Sequence, residues 1–164
     1  MGLRQKITDS QFYRDLVQRR AIGALRTYYD VPAADPTRPI MDTEFIALDL
    51  ETTGLDPKRD EIVSLGWVII RQLGVDFSSC EHILVRPTKE LTESSVVGLR
   101  DLHRQGQPFK SGALKLDNLR RSHNLPPFRA HNALSDAIAA SGLFLAQVSK
   151  RDPKGVLELR RVLR

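Results

Sequence analysis

Phe45-Ile-Ala-Leu-Asp49-Leu-Glu51-Thr-Thr-Gly54 decides how this chain is read. Phe45 to Glu51 has the composition of a buried strand, and it ends in two carboxylates. Side chains alternate along a strand, so Asp49 and Glu51 share one face. At about 3.3 Å per residue they stand roughly 7 Å apart along the backbone. Keeping both ionised at the end of an apolar strand is costly unless positive charge sits between them. A hard divalent cation, Mg²⁺ or Mn²⁺, suits such oxygen ligands. Thr52 and Thr53 add hydroxyls, and Gly54 permits a tight turn and a close approach of another backbone. A bare Asp-x-Glu is common at ordinary strand ends. The apolar strand before it and the Thr-Thr-Gly after it tip the balance toward a site.

Downstream, Glu61 to Arg71 and Glu81 to Arg86 read as two more strands, the last stopped by Pro87. Short polar or Gly-bearing links between the three predict an antiparallel meander. The pattern then changes, with helices expected over Leu114 to His123, ended by Pro126 and Pro127, and over Leu134 to Val148. Upstream, Asp9 and Ser10 are candidate caps for a helix over Gln11 to Tyr29, and Val31 to Met41 holds Pro32, Pro36 and Pro39. Those prolines predict an extended linker. The chain is thus expected to be α/β, with an N-terminal helix and linker (1–40), a central domain (41–149) and a basic tail (150–164). Val156 to Leu163 is expected to form a short amphipathic helix.

Composition bounds the function. The 164 residues are 41% apolar and 27% charged, which suits one soluble domain with an extension. One cysteine, Cys80, excludes an internal disulfide framework and a Cys-based zinc cluster, and makes a reducing compartment the default. Apolar runs are short, Leu65 to Ile70 being an example, and Met1 to Arg20 is broken by charges, so neither a transmembrane helix nor a signal peptide is expected. The expected location is cytoplasmic. The net charge of +5 is uneven. Residues 1–40 carry seven Lys/Arg against four Asp/Glu, residues 41–100 six against eleven, and residues 101–164 twelve against five. An acidic centre favours a bound cation and basic flanks favour a polyanion, although charge runs are more often solvated faces. Trp67, Cys80 and the tyrosines Tyr13, Tyr28 and Tyr29 are explained by packing.

The second informative stretch is His131-Asn-Ala-Leu-Ser-Asp136. Asn132 is a good N-cap, and Asp136 near the first turn suits the helix dipole. His131 has no such structural explanation. With an unperturbed pKa of about 6.5, it can take a proton from water beside a metal.

Together, Asp49-Leu-Glu-Thr-Thr-Gly54 with Leu55-Asp-Pro57, the continuation Asp60-Glu-Ile-Val-Ser64, and His131-Asn-Ala-Leu-Ser-Asp-Ala137 resemble the first and third motifs of the DEDDh (DnaQ-like) 3′–5′ exonucleases. That family includes the proofreading epsilon subunit of bacterial DNA polymerase III and ribonuclease T. The likeness extends over about residues 10–97 and 100–148. It implies an RNase H-like fold, a mixed sheet flanked by helices, with two divalent metals activating water and stabilising the leaving 3′ oxygen. By match, Asp49, Glu51 and Asp136 would be metal ligands and His131 the general base. Thr52, Thr53, Gly54 and Leu55 would hold the terminal nucleotide, and single-stranded 3′ ends of DNA or RNA would be the substrate.

One departure stands out. The family's second motif, with its own aspartate, has no convincing counterpart between Thr92 and Arg104, so the domain reads as abridged near 97–110. Asp101 and Asp117 lack the expected apolar helical context. His131-Asn-Ala can also be read as a second motif, but the Ala-rich helix after Asp136 favours the third. Loss of a fourth carboxylate would weaken the second metal site, and loss of central strands would expose apolar surface. A natural truncation, a pseudoenzyme and a rearranged active variant are all compatible with this pattern. Three readings follow: a metal-dependent 3′–5′ exonuclease, a catalytically impaired nucleic-acid-binding or regulatory relic, and association of the tail with a polymerase or a second copy.

Overall fold

The computed structural model describes residues 11–54, 56, 58–88, 97–98 and 115–162. It divides the chain into two compact units, Met1–Pro36 and Thr37–Arg164.

The first unit is a pair of helices, α1 (Gln11–Arg20) and α2 (Gly23–Asp30), where the sequence predicts a single one. The break follows from Ile22 in an extended conformation and Gly23 at φ +56°, a left-handed geometry in which an L side chain is strained. Polar contacts tie the pair together. Arg14 donates to Val31 O at 2.7 Å and lies over the rings of Tyr28 and Tyr29, while Gln18 donates to Asp30 at 2.8 Å. Tyr28 and Tyr29 meet edge to face. These tyrosines therefore pack, as expected, although Tyr28 stays 64% exposed.

The second unit is mixed α/β. Strands β1 (Phe45–Thr52), β2 (Ile62–Arg71) and β3 (Gly74–Leu84) form the antiparallel meander expected, and a two-residue strand, β4 (Val97–Gly98), pairs with Glu51 and Thr52. The order is β3-β2-β1-β4. The third strand begins seven residues earlier than the sequence suggests. Its turn is Gln72-Leu73, with both residues at positive φ (51° and 55°), as a two-residue type I′ hairpin requires. Neither residue carries the Asn-Gly signal that normally announces such a turn. Between Trp67 and Ile69 the β2–β3 register shifts, and the extra β3 residues bulge out, with Ser79 Oγ capping the Ile69 N–H at 2.8 Å.

Helices α3 (Leu116–Ser122) and α4 (Ala133–Arg151) complete the unit, and α4 packs across β1, β2 and β3. The core lies between them. Val68 and Ile70 of the sheet and Ala133, Ala137, Ala139, Leu143 and Val148 of the helix are all buried. Alanines at the contact let the helix lie close, and Phe144 meets Phe45 with ring centroids 5.0 Å apart. Ile46 and Leu48 alternate onto the opposite face of β1 and remain 60% and 46% exposed. Arg120 is buried at 7% exposure and fastens α3 to α4, donating to Ala139 O at 2.6 Å and to Pro126 O at 2.9 Å, with Phe128 against its guanidinium.

The tail differs from expectation. Residues 156–162 form no amphipathic helix, only a single 3₁₀ turn over Leu159–Arg161. Asp152 accepts from the Val156 and Leu157 N–H groups, at 2.9 and 2.8 Å, and turns the chain back. The tail then pairs with the residues before β1, through Ile40 N–H to Leu157 O and Leu159 N–H to Arg38 O, both 2.9 Å. Leu159 (4% exposed) and Ile40 (1%) are buried as a result. Of the apolar residues expected on one face of that helix, Leu159 is buried inside the fold, while Val156 stays 72% exposed.

A candidate metal centre at the end of the first strand

Asp49 and Glu51 stand on the face of β1 that α4 covers, as strand alternation requires. The third acid comes from α4 itself. Oxygens of Asp49, Glu51 and Asp136 all lie within 4.8 Å of one another. Glu51 is only 5% exposed. The Asp49 carboxyl is pushed up to about 7, by burial first and then by the charges of Asp136 and Glu51.

What brings Asp136 there is a glycine. Gly66 in β2 is the cross-strand partner of Asp49. A Cβ at Gly66 would fall 2.2 Å from Leu134 N and 2.5 Å from Ala133 C, so the first turn of α4 rests directly on the bare backbone of β2. A glycine inside a strand commonly marks such a close approach. Gly66, in the middle of a mostly apolar strand, is the signal in the sequence for this contact.

The start of α4 is fixed by its own polar groups. Asn132 Oδ1 accepts from Ser135 N–H at 3.0 Å, the N-cap bond expected. Asp136 Oδ2 accepts from the backbone N–H of His131 (2.9 Å) and Asn132 (3.1 Å). These two donors orient the carboxylate toward β1. His131 is exposed and sits at φ +67°, in the left-handed region where histidine is among the enriched residues. Its backbone is thus bound to the acidic cluster at an exposed position before the helix.

The loop after β1 is equally organised. Thr52 Oγ1 donates to Gly54 O at 2.7 Å. Thr53 Oγ1 receives the Glu61 N–H at 2.9 Å and reaches Asp60 at 3.3 Å. Asp60 also accepts from Asp56 N–H at 2.8 Å. A Cβ at Gly54 would lie 2.5 Å from the Asp60 carboxylate, so the close approach that Gly54 allows is made by this chain's own Asp60. Thr52, Thr53 and Gly54 therefore adjoin the cluster in one braced loop, and Leu55 lies outside the described residues.

Among the described residues the cluster holds three carboxylates. Asp117, considered above as a fourth, is paired instead with Arg121 on its own helix at 2.6 Å. Asp101 lies outside the described residues. The donor set fits a hard divalent ion: three carboxylate groups that lie close together, one of them buried.

Comparison with known proteins agrees with the first strand and its loop. Residues 46–97, about a third of the chain, match the family described as Exonuclease. Among curated proteins, the chain is 43% identical over 54 residues to DNA polymerase III PolC-type of Thermotoga maritima. It is 42% identical over 53 residues to the protein of the same name from Thermotoga petrophila. Those matches cover 33% and 31% of this chain and 4% of each relative. No solved structure matches the chain. The family match includes Asp49 and Glu51 and ends before Asp136, so the third carboxylate joins the site through the packing of α4. No helix among the described residues is long and apolar enough to cross a membrane.

Proposed function

We propose that this chain is a metal-dependent 3′–5′ exonuclease with an abridged RNase H-like fold, hydrolysing phosphodiester bonds at the 3′ end of single-stranded DNA or RNA. The observation that carries this reading is the meeting of Asp49, Glu51 and Asp136, from elements more than 80 residues apart in sequence, within 4.8 Å. In this reading the three carboxylates hold Mg²⁺ or Mn²⁺. When bound, the cation supplies Lewis-acid stabilisation of phosphoryl oxygens and eases deprotonation of the attacking water. His131, exposed beside Asp136, accepts the proton of that water. Thr52, Thr53, Gly54 and Leu55 seat the terminal nucleotide against a loop braced by Asp60. Residues 41–149 form the exonuclease domain, 1–40 the helical extension and linker, and 150–164 the tail. Similarity to a segment of a DNA polymerase III supports work at a replication or repair 3′ end with a polymerase as partner.

A second reading is favoured by one specific observation. The family's second motif has no convincing counterpart in the sequence between Thr92 and Arg104, and the flanks are basic, which suits a relic that binds nucleic acid without turnover. An end-labelled oligonucleotide incubated with the full chain and Mn²⁺ separates the two. The exonuclease reading expects shortening from the 3′ end, abolished by EDTA and reduced at least about 100-fold by Asp49→Ala, since metal stabilisation amounts to several kcal/mol. Salt-sensitive binding with no shortening would establish the relic instead.

A further inference from the structure

The inner face of β2 reads Ser64, Gly66, Val68, Ile70, all buried. Val68 and Ile70 fill the core and Gly66 seats α4. Ser64 does neither. At 7% exposure it is a hydroxyl where packing alone would take alanine or valine. Its neighbours are specific. Across one strand junction its partner is Glu51, and its hydroxyl lies 2.7 Å from His82 Nε2 on the strand at the other side. The register gives the reason for that reach. His82 pairs with Gly66, one rung from Ser64, on the face that carries Asp49 and Glu51. The sheet therefore sets Glu51, Ser64 and His82 in adjoining places on its three main strands, with His82 exposed at the rim and Glu51 buried.

We infer that His82, acting through Ser64, is a positioning residue for Glu51. Directly opposed side chains on one face of an antiparallel pair have Cβ atoms about 4.5–5.5 Å apart, so the Ser64 side chain forms one wall of the space that Glu51 occupies. The imidazole fixes the rotamer of Ser64. A fixed side chain beside a buried carboxylate restricts its orientation, which is how groups behind a metal ligand raise its affinity. The pair is thus a specific support for cation binding. The inference rests on the reading that the acidic cluster takes a divalent cation.

Calorimetric titration of the full chain with MnCl₂ tests it, and needs no turnover. Wild type is expected to bind and Asp49→Asn to lose binding. Ser64→Ala and His82→Ala are each expected to weaken Mn²⁺ by about 10-fold or more. His82→Gln, whose amide can donate to or accept from the Ser64 hydroxyl, is expected to stay within about 3-fold of wild type, a difference of about 0.7 kcal/mol or less. Metal-free melting curves establish that each variant is folded, and Ser64→Ala decides the matter alone should His82→Ala fail that check. Wild-type affinity in Ser64→Ala, or equal weakening in His82→Gln and His82→Ala, overturns the inference while the loss in Asp49→Asn leaves the metal centre standing. No Mn²⁺ uptake by wild type removes the metal centre, and the inference with it.

Discussion

At Asp49 the local chemistry is clearest. Its carboxyl is raised from 3.8 to about 7 by burial and by two neighbouring carboxylates. The folded state therefore holds this proton more tightly than the unfolded chain does. The stabilising contribution is complete below pH 3.8 and is lost as pH rises through about 7. The metal-free protein is accordingly expected to melt at lower temperature at pH 8 than at pH 5.5, with Asp49→Asn reducing the difference. For a partly exposed group the effect is screened to about 1–2 kcal/mol, or about 3–6 °C in Tm. Saturating Mn²⁺ should restore the loss at pH 8 in wild type and leave Asp49→Asn unchanged, since a ligand stabilises only the fold that binds it. Thermal melts at the two pH values, with and without metal, check all of this. Strand alternation made Asp49 and Glu51 legible as a pair, whereas helix capping accounts for Asn132 and Asp136 structurally and Asp136 entered as a ligand candidate only through the family resemblance.

Among the elements, the junction of β2 and α4 determines whether a site exists. An extra methyl at Gly66 meets backbone, which cannot swing away as a side chain can. Gly66→Ala is expected to cost about 3 kcal/mol or more, at or above the usual range for overpacking, and to displace Asp136 from β1. Urea unfolding reads the first effect and loss of Mn²⁺ binding the second. The hairpin of β2 and β3 shows why strand boundaries were harder to read than strands. Gln72 and Leu73 adopt positive φ because cross-strand pairing from Ile70 to Arg71 outweighs their local preference. Likewise the first helix splits where its apolar spacing continued, because backbone geometry at Ile22 and Gly23 interrupts it.

Over the whole second unit, chain ends that are distant in sequence are closed on one another. Leu159 is buried beside the strand-like segment at Ile40. Leu159→Ala is therefore expected to destabilise the protein by about 2–5 kcal/mol, as truncation of a buried leucine does, with Val156→Ala, 72% exposed, as a nearly neutral control. Chemical denaturation distinguishes them. The amphipathic pattern in this tail signalled burial, and could not say against what.

By itself the sequence determined the meander, the final helix, and the pair Asp49 and Glu51 on one face of the first strand, because alternation and capping act over a few residues, while Asp136 and His131 became candidates only through a family resemblance. Tertiary structure alone decided that Asp136 reaches β1, that Gly66 makes room for it, that Ser64 stands between Glu51 and His82, and that Leu159 closes the fold. Those facts depend on which faces pack together, and packing is set by contacts between stretches whose distance in sequence no local pattern encodes.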